Sequence, residues 1–240
     1  IMPLPKIATP TYELVLPSSG ETVKYRPFLV KEEKLLLVAL QSQNQKQITT
    51  AVKNVIKECV MTRGVKVDTL PTFDIEYLFL NIRGKSVGEE LEVNLICPDD
   101  GETEVKKKIG LHEIMVLIDD ENNDTIDIDD SLKLKLKFPS LDEFIKSNFE
   151  TGSDDTVEAS FDLIASCIDK IYNDEEIWEG KDSSKKELRE FIDQLSSKQF
   201  KEIEKFFETM PKLSYTTKIT NPNTKVESEV TLEGLASFFA

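Results

Sequence analysis

The run Lys24-Tyr25-Arg26-Pro27-Phe28-Leu29-Val30, continued by Lys31-Glu32-Glu33-Lys34-Leu35-Leu36-Leu37, constrains this chain more than any other stretch. Pro27 fixes its own φ and drives Arg26 into extended geometry, so a strand has to end there. Glu32 and Glu33 fall in the first turn of the helix that follows, where carboxylates meet the positive end of the helix dipole. No Ser, Thr, Asp or Asn stands at the expected N-cap, so the helix is predicted and its first residue is left open. Phe28, Leu29 and Val30 are expected to anchor the junction. Upstream, Tyr12, Leu14 and Leu16 alternate, Pro17-Ser18-Ser19-Gly20 turns, and Thr22-Val23-Lys24-Tyr25 returns. A β-hairpin therefore feeds the helix.

After the polar break Ser42-Gln43-Asn44, residues Ile48, Val52, Val55, Ile56, Cys59 and Val60 recur at helical spacing, which makes Cys59 a small core residue. The run from Leu70 to Arg83 is the most apolar in the chain, with Pro71 suited to a helix start and Gly84 and Gly88 to its end. A helix apolar nearly all round belongs between other elements.

A second hairpin is predicted from Leu91–Ile96, the turn Cys97-Pro98-Asp99-Asp100-Gly101, and Glu104–Leu111. Its tip would be a metal knuckle had a second cysteine followed. One turn cysteine and a single histidine, His112, do not supply the four ligands of tetrahedral zinc, so no metal is expected. Ile114–Ile118 and Leu132–Phe138 read as strands. The acidic stretch between them, Asp119 to Asp130, has neither the glycine nor the glutamate of a calcium loop in register, and reads as a solvated connection.

Ser140 with Glu143 forms a capping box for a short helix. Glu150-Thr151-Gly152-Ser153-Asp154-Asp155 is the best domain seam, dividing an N-terminal α+β domain, 1–150, from a helical C-terminal domain, 151–240, that ends in a hairpin and a short helix. Beyond the seam, Val157, Phe161, Ile164, Ile168 and Ile171 make a helical stripe, Trp178 sits in an acidic turn, and two more amphipathic helices follow over Leu188–Leu195 and Phe200–Phe207. The closing segment, with its turn Asn221-Pro222-Asn223, repeats the sequence of roles around Cys97-Pro98-Asp99. Two similar hairpin units, degenerate zinc-knuckle-like, are the expectation. The terminal Phe238 and Phe239 are too apolar for a free tail and have to dock on this protein or another.

With 45 acidic against 30 basic side chains and a net charge of -15, the surface repels a phosphate backbone, and no nucleic-acid partner is expected. Three cysteines at 59, 97 and 167 are no disulfide framework and fit a reducing compartment. No stretch approaches the about 20 apolar residues of a membrane span, and the N-terminus lacks an apolar signal core, so no membrane association is expected. One histidine and nine glycines, with neither a phosphate-binding nor a dinucleotide fingerprint nor a nucleophile elbow, argue against an enzyme. A small acidic hydrolase using paired carboxylates is the residual alternative. No catalytic, cofactor-binding or metal residue is named.

Taken together, Tyr25–Lys34, Leu70-Pro71 with Phe73–Leu80, Arg83, Lys85-Ser86-Val87-Gly88 and the Cys97-Pro98 hairpin resemble the baseplate hub proteins of T-even-type contractile-tailed bacteriophages. The resemblance spans nearly the whole chain. It implies Cys-x-x-Cys in the hairpin and a Thr near the cap position, where this chain has Cys97-Pro98-Asp99-Asp100 and Leu29. It further implies a protein of the host cytoplasm and the virion tail that helps build the central hub, as a component or as an assembly chaperone that departs. The partners are then other hub proteins, with homo-oligomerisation open. The candidate contact residues are Phe238, Phe239 and Trp178 as apolar anchors and Arg26 and Arg83 as charged ones. The overall expectation is an α+β protein of helix-rich bodies bearing β-hairpins.

Overall fold

A computed structural model describes residues 7–145, 156–234 and 237. In chain order its elements are β1 (Tyr12–Val15), β2 (Thr22–Tyr25), α1 (Val30–Gln41), α2 (Gln45–Cys59), α3 (Thr72–Val87), β3 (Glu90–Ile96), β4 (Glu104–Gly110), β5 (Met115–Leu117), β6 (Thr125–Asp127), β7 (Lys133–Leu136), α4 (Leu141–Ile145), α5 (Thr156–Ser166), β8 (Ile168–Tyr172), β9 (Ile177–Glu179), α6 (Lys185–Asp193), α7 (Ser197–Glu208), β10 (Lys212–Thr220) and β11 (Glu227–Glu233). Helices and small antiparallel sheets make it α+β. Among the described residues no helix is long and apolar enough to cross a membrane.

The chain groups into two units. The first comprises residues up to Val67, Phe73–Leu117 and the chain from Lys212 on. It holds the hairpins β1–β2 and β3–β4 and the sheet β11-β10-β5. Alternation explains the second hairpin: Leu91, Val93 and Leu95 of β3 and Ile109 of β4 are buried, while the glutamates and lysines between them are not. These residues form one core with Leu80, Leu213, Tyr215 and Ile219. Helix α3 is apolar on several faces and buries Phe73, Ile75, Leu78, Phe79, Leu80 and Ile82. It runs through Gly84, expected at its end, and stops at Gly88, whose φ of 141° is open to glycine. Gly84 is interior because Leu111 packs where its side chain would be.

The second unit comprises Asp68–Thr72 and Ile118–Pro211. The seam expected at 150–155, and with it the division at 150/151, lies outside the described residues. The unit is a four-stranded sheet, β6-β7-β8-β9, with a core of Leu134, Leu136, Ile164, Ile168, Leu188, Ile203 and Phe206. Three expectations are corrected here. The acidic connection contains β6, whose Ile126 is buried opposite Leu134. The helical stripe from Val157 ends with α5 at Ser166; Ile168 and Ile171 lie on β8, because paired with β7 they complete the sheet. Trp178 is not in a turn but on β9, opposite Ile171. The Ser140–Glu143 box is present, with the Ser140 N–H donating to Glu143 Oε2 at 2.8 Å.

Three hairpin turns of the first unit share one geometry. The carbonyls of Leu16, Cys97 and Asn221 each accept from the N–H four residues on, of Gly20, Gly101 and Lys225, at 2.9 Å. Each of those donating residues is left-handed, at φ 70°, 70° and 65°, and proline follows the accepting residue every time. Proline sets the opening φ and the left-handed residue closes the turn.

Candidate functional site

The junction around Pro27 holds the base of an αα-hairpin made by α1 and α2. Arg26 Nη2 donates to Glu32 Oε1 at 2.8 Å, and the Leu29 N–H donates to Glu32 Oε2 at 2.7 Å. Glu32, three residues into the helix, thus makes one half of a capping box by accepting the Leu29 N–H, while Leu29 has no side-chain oxygen to make the other half. Glu32 is 1% exposed. Burial would raise its pKa, but the bonds from Arg26, Leu29 and Lys31 outweigh it and hold the carboxyl at about 2. On the far side the Arg26 N–H donates to the Cys59 carbonyl at 3.0 Å, and Tyr25 bridges Val60, so both helices are tied to β2. Phe28 is held through its N–H to Ser86 Oγ at 2.9 Å. Leu29 and Val30, expected as anchors, are exposed instead.

Beyond this base the hairpin is hardly buried. Between residues 33 and 54, Ala39 is the one buried residue among those described. Glu32, Leu36 and Ala39 face inward at helical spacing, which leaves Leu35, Leu37, Val38 and Leu40 each more than half exposed. Singly scattered exposed leucines are ordinary on a protein surface, whereas here four exposed apolar residues fall within six positions of one helix. Its tip is well formed: Gln43 is left-handed at φ 52°, and Asn44 Oδ1 accepts from the Gln47 N–H at 3.1 Å to start α2.

The turns at Cys97 and Asn221 meet at their tips. Asn221, 1% exposed, donates through Nδ2 to both oxygens of Asp99 at 3.1 Å and to Asp100 Oδ2 at 2.8 Å. Thr224 Oγ1 donates to Asp99, and Asn223 Nδ2 to Thr103 Oγ1. Asp99 is held below the usual carboxylate range by Thr224 and Asn221, and Asp100 by Thr103. Burial pushes the Cys97 thiol up. The donors and acceptors of the two turns are spent on each other. Among the described residues no group of three or more His, Cys, Asp or Glu is arranged to hold a metal ion.

The sequence-predicted contact residues are dispersed. Arg26 is engaged by Glu32 within the chain. Arg83 lies half-buried on α3, where burial lowers its pKa. Trp178 is 43% exposed beside the exposed Ile177 on β9. Phe238 and Phe239 lie outside the described residues. His112 is exposed just after β4. Sequence reasoning missed the apolar surface of α1, although Leu35-Leu36-Leu37-Val38-Ala39-Leu40 is too continuous for a helix with only one face to bury.

Comparison with curated proteins and with solved structures found no match. The family model described as T4 bacteriophage base plate protein matches residues 9–240, nearly the whole chain, and the chain belongs to that family of baseplate proteins.

Proposed function

We propose that this baseplate protein helps build the central hub of the baseplate through protein–protein contact, in the host cytoplasm and without catalysis. The observation that carries the reading is the exposed apolar surface of α1, on a hairpin tied down at its base and unburied beyond it. A rigid base keeps the cost of ordering the surface on binding small. Trp178, 43% exposed on the edge strand β9, offers a second apolar contact. Phe238, Phe239 and Arg83 remain proposed contact residues; Arg26 acts through Glu32 by holding α1.

Two fates fit this reading: a component retained in the virion tail, and a chaperone absent from the finished particle. Mass spectrometry of purified particles separates them by the presence or absence of the chain. The contact itself is tested with Leu37→Asp/Val38→Asp. This variant is expected to keep native helicity and to recover at least about tenfold less of the other baseplate proteins from an infected-cell extract, as loss of a central apolar contact does. Unchanged recovery would remove the α1 surface from the proposal.

A further inference from the structure

Strand β11 forms the outer edge of the sheet β11-β10-β5, and no strand among the described residues pairs with its open side. It pairs with β10 in unbroken register, from Ser214 opposite Glu233 to Thr220 opposite Glu227. The phase of that ladder is fixed at both ends, where the Gly234 N–H donates to the Leu213 carbonyl at 2.8 Å and the Asn221 N–H to the Val226 carbonyl at 2.9 Å. Bonded and non-bonded pairs alternate in an antiparallel ladder, so Ser228, Val230 and Leu232 bond β10 while Glu227, Glu229, Thr231 and Glu233 turn their N–H and C=O groups outward. Of these groups the Glu233 carbonyl is taken, by Ser237 Oγ at 2.6 Å. The opposite edge of β10 is closed where it runs past β5, because Lys107 Nζ donates to the Lys218 carbonyl at 3.1 Å.

A row of outward backbone groups is a template for another strand, and such edges are ordinarily blunted by proline, lysine, a bulge or shortness. Strand β11 has none of these. Its side chains sort by face. Val230 and Leu232 are half-buried against the core of Leu213, Tyr215 and Ile219, so an added strand extends that core. Glu227, Glu229, Thr231 and Glu233 share the solvent face. Lys218 and Lys212 hold Glu227 and Glu233, and among the described residues no ion pair holds Glu229.

These charges select against a second copy. Backbone bonds between two β11 edges would set the outward residues opposite one another. With the two-fold at Val230, Glu227 faces Glu233; at Glu229 that residue faces itself; at Thr231, Glu229 faces Glu233. Like charges directly opposite are destabilising. A strand with a basic residue opposite Glu229 and apolar residues beside Val230 and Leu232 fits instead.

We infer that the open edge of β11 takes an extended, basic segment of a different baseplate protein by strand addition. The inference rests on the contact function proposed above and adds to the α1 surface a second one with its own chemistry. Main-chain bonds to Glu229 and Thr231 supply the pairing, and lysine or arginine alternating with apolar residues supplies the selection.

The test uses the full chain and three labelled peptides of about nine residues, enough to span β11, at concentrations where each peptide alone is monomeric. One alternates Lys with Val, one alternates Glu with Val, and one is the Lys peptide N-methylated at its lysines, which removes the donors facing β11 and keeps the side chains. Fluorescence anisotropy is expected to show the Lys peptide binding at least about tenfold more tightly than either control, the loss that two missing main-chain bonds produce. Thr231→Pro removes one outward donor without touching the bonds to β10, and is expected to weaken the Lys peptide several-fold with unchanged circular dichroism. Glu229→Lys leaves the backbone intact and is expected to narrow the Lys-over-Glu preference several-fold. Binding of the Lys peptide no tighter than of its methylated form overturns strand addition. Equal binding of the Lys and Glu peptides, or a preference untouched by Glu229→Lys, overturns the basic occupant. A dimer by light scattering that Thr231→Pro dissolves overturns the inference in favour of a second copy. In each case reduced recovery of baseplate proteins with Leu37→Asp/Val38→Asp would still support the contact function, so the two failures are distinguishable.

Discussion

Arg26 and Glu32, six residues apart, meet at 2.8 Å across Pro27, with the Glu32 side chain 1% and the Arg26 side chain 15% exposed. The pair closes the strand-to-helix turn while the other Glu32 oxygen caps the helix. Shape and charge coincide there: one carboxylate joins the first hairpin to the base of the helical arm.

Removing one partner leaves the other buried and uncompensated. Glu32→Ala is therefore expected to cost about 3–5 kcal/mol, and the apolar pair Arg26→Met/Glu32→Leu to recover much of it. Urea unfolding of the three chains checks this. The Glu32 pKa is depressed from 4.5 to about 2, so its contribution is present above pH 4.5 and lost as pH falls from there to about 2. The wild type is expected to lose about 3 kcal/mol more than the apolar double variant over that window. A parallel fall in both chains would refute the assignment.

The two turn tips are tied to each other by hydrogen bonds. Asn221 Oδ1 accepts from the N–H groups of Asn223 and Thr224 while its amide reaches the Asp99 and Asp100 carboxylates. Asn221→Ala is expected to lower the melting temperature, with about 1–2 kcal/mol from the lost turn bonds alone. A chelator is expected to leave the wild-type melting curve unchanged; a drop on adding EDTA would show a metal at the tips.

Gly180 and Gly84 predict opposite responses to a methyl group. A Cβ at Gly180 would overlap the Ile168 carbonyl, which is backbone of β8 and cannot turn aside. Gly180→Ala should cost about 1–3 kcal/mol or more. At Gly84 the obstacle is the far end of the Leu111 side chain, and the helix gains up to about 1 kcal/mol from alanine. Gly84→Ala is thus expected to be near neutral by thermal melting.

All three thiols are buried, with Cys59 pushed up to about 11 and Cys167 to about 12 by burial. A thiol reagent at mildly alkaline pH is expected to label none of them in the native chain and all of them in urea. Labelling of Cys97 alone in the native state would show that the tip contact opens.

The α+β class, the hairpins around Pro17, Pro98 and Pro222, and most helices were legible in the residues, since turns and periodicity are local, and the baseplate family was legible as a resemblance. Helix α5 marks the limit. Its apolar spacing continues through Ile168 and Ile171, and only pairing with β7 turns those residues into strand β8. The same holds for β6, a short strand inside an acidic run that is stable because Leu134 lies opposite Ile126.

By itself the sequence determined where the chain turns, because proline and left-handed residues act on their own backbone whatever surrounds them. Only the tertiary structure decided which apolar residues are left over: Leu37 and Leu91 are equally apolar, yet one is exposed on α1 and the other buried on β3 in the core that holds Leu80 and Leu213. Burial is a property of neighbours distant in sequence. For that reason the proline turns could be read from the residues in order, and strands β6 and β8 and the exposed face of α1 could not.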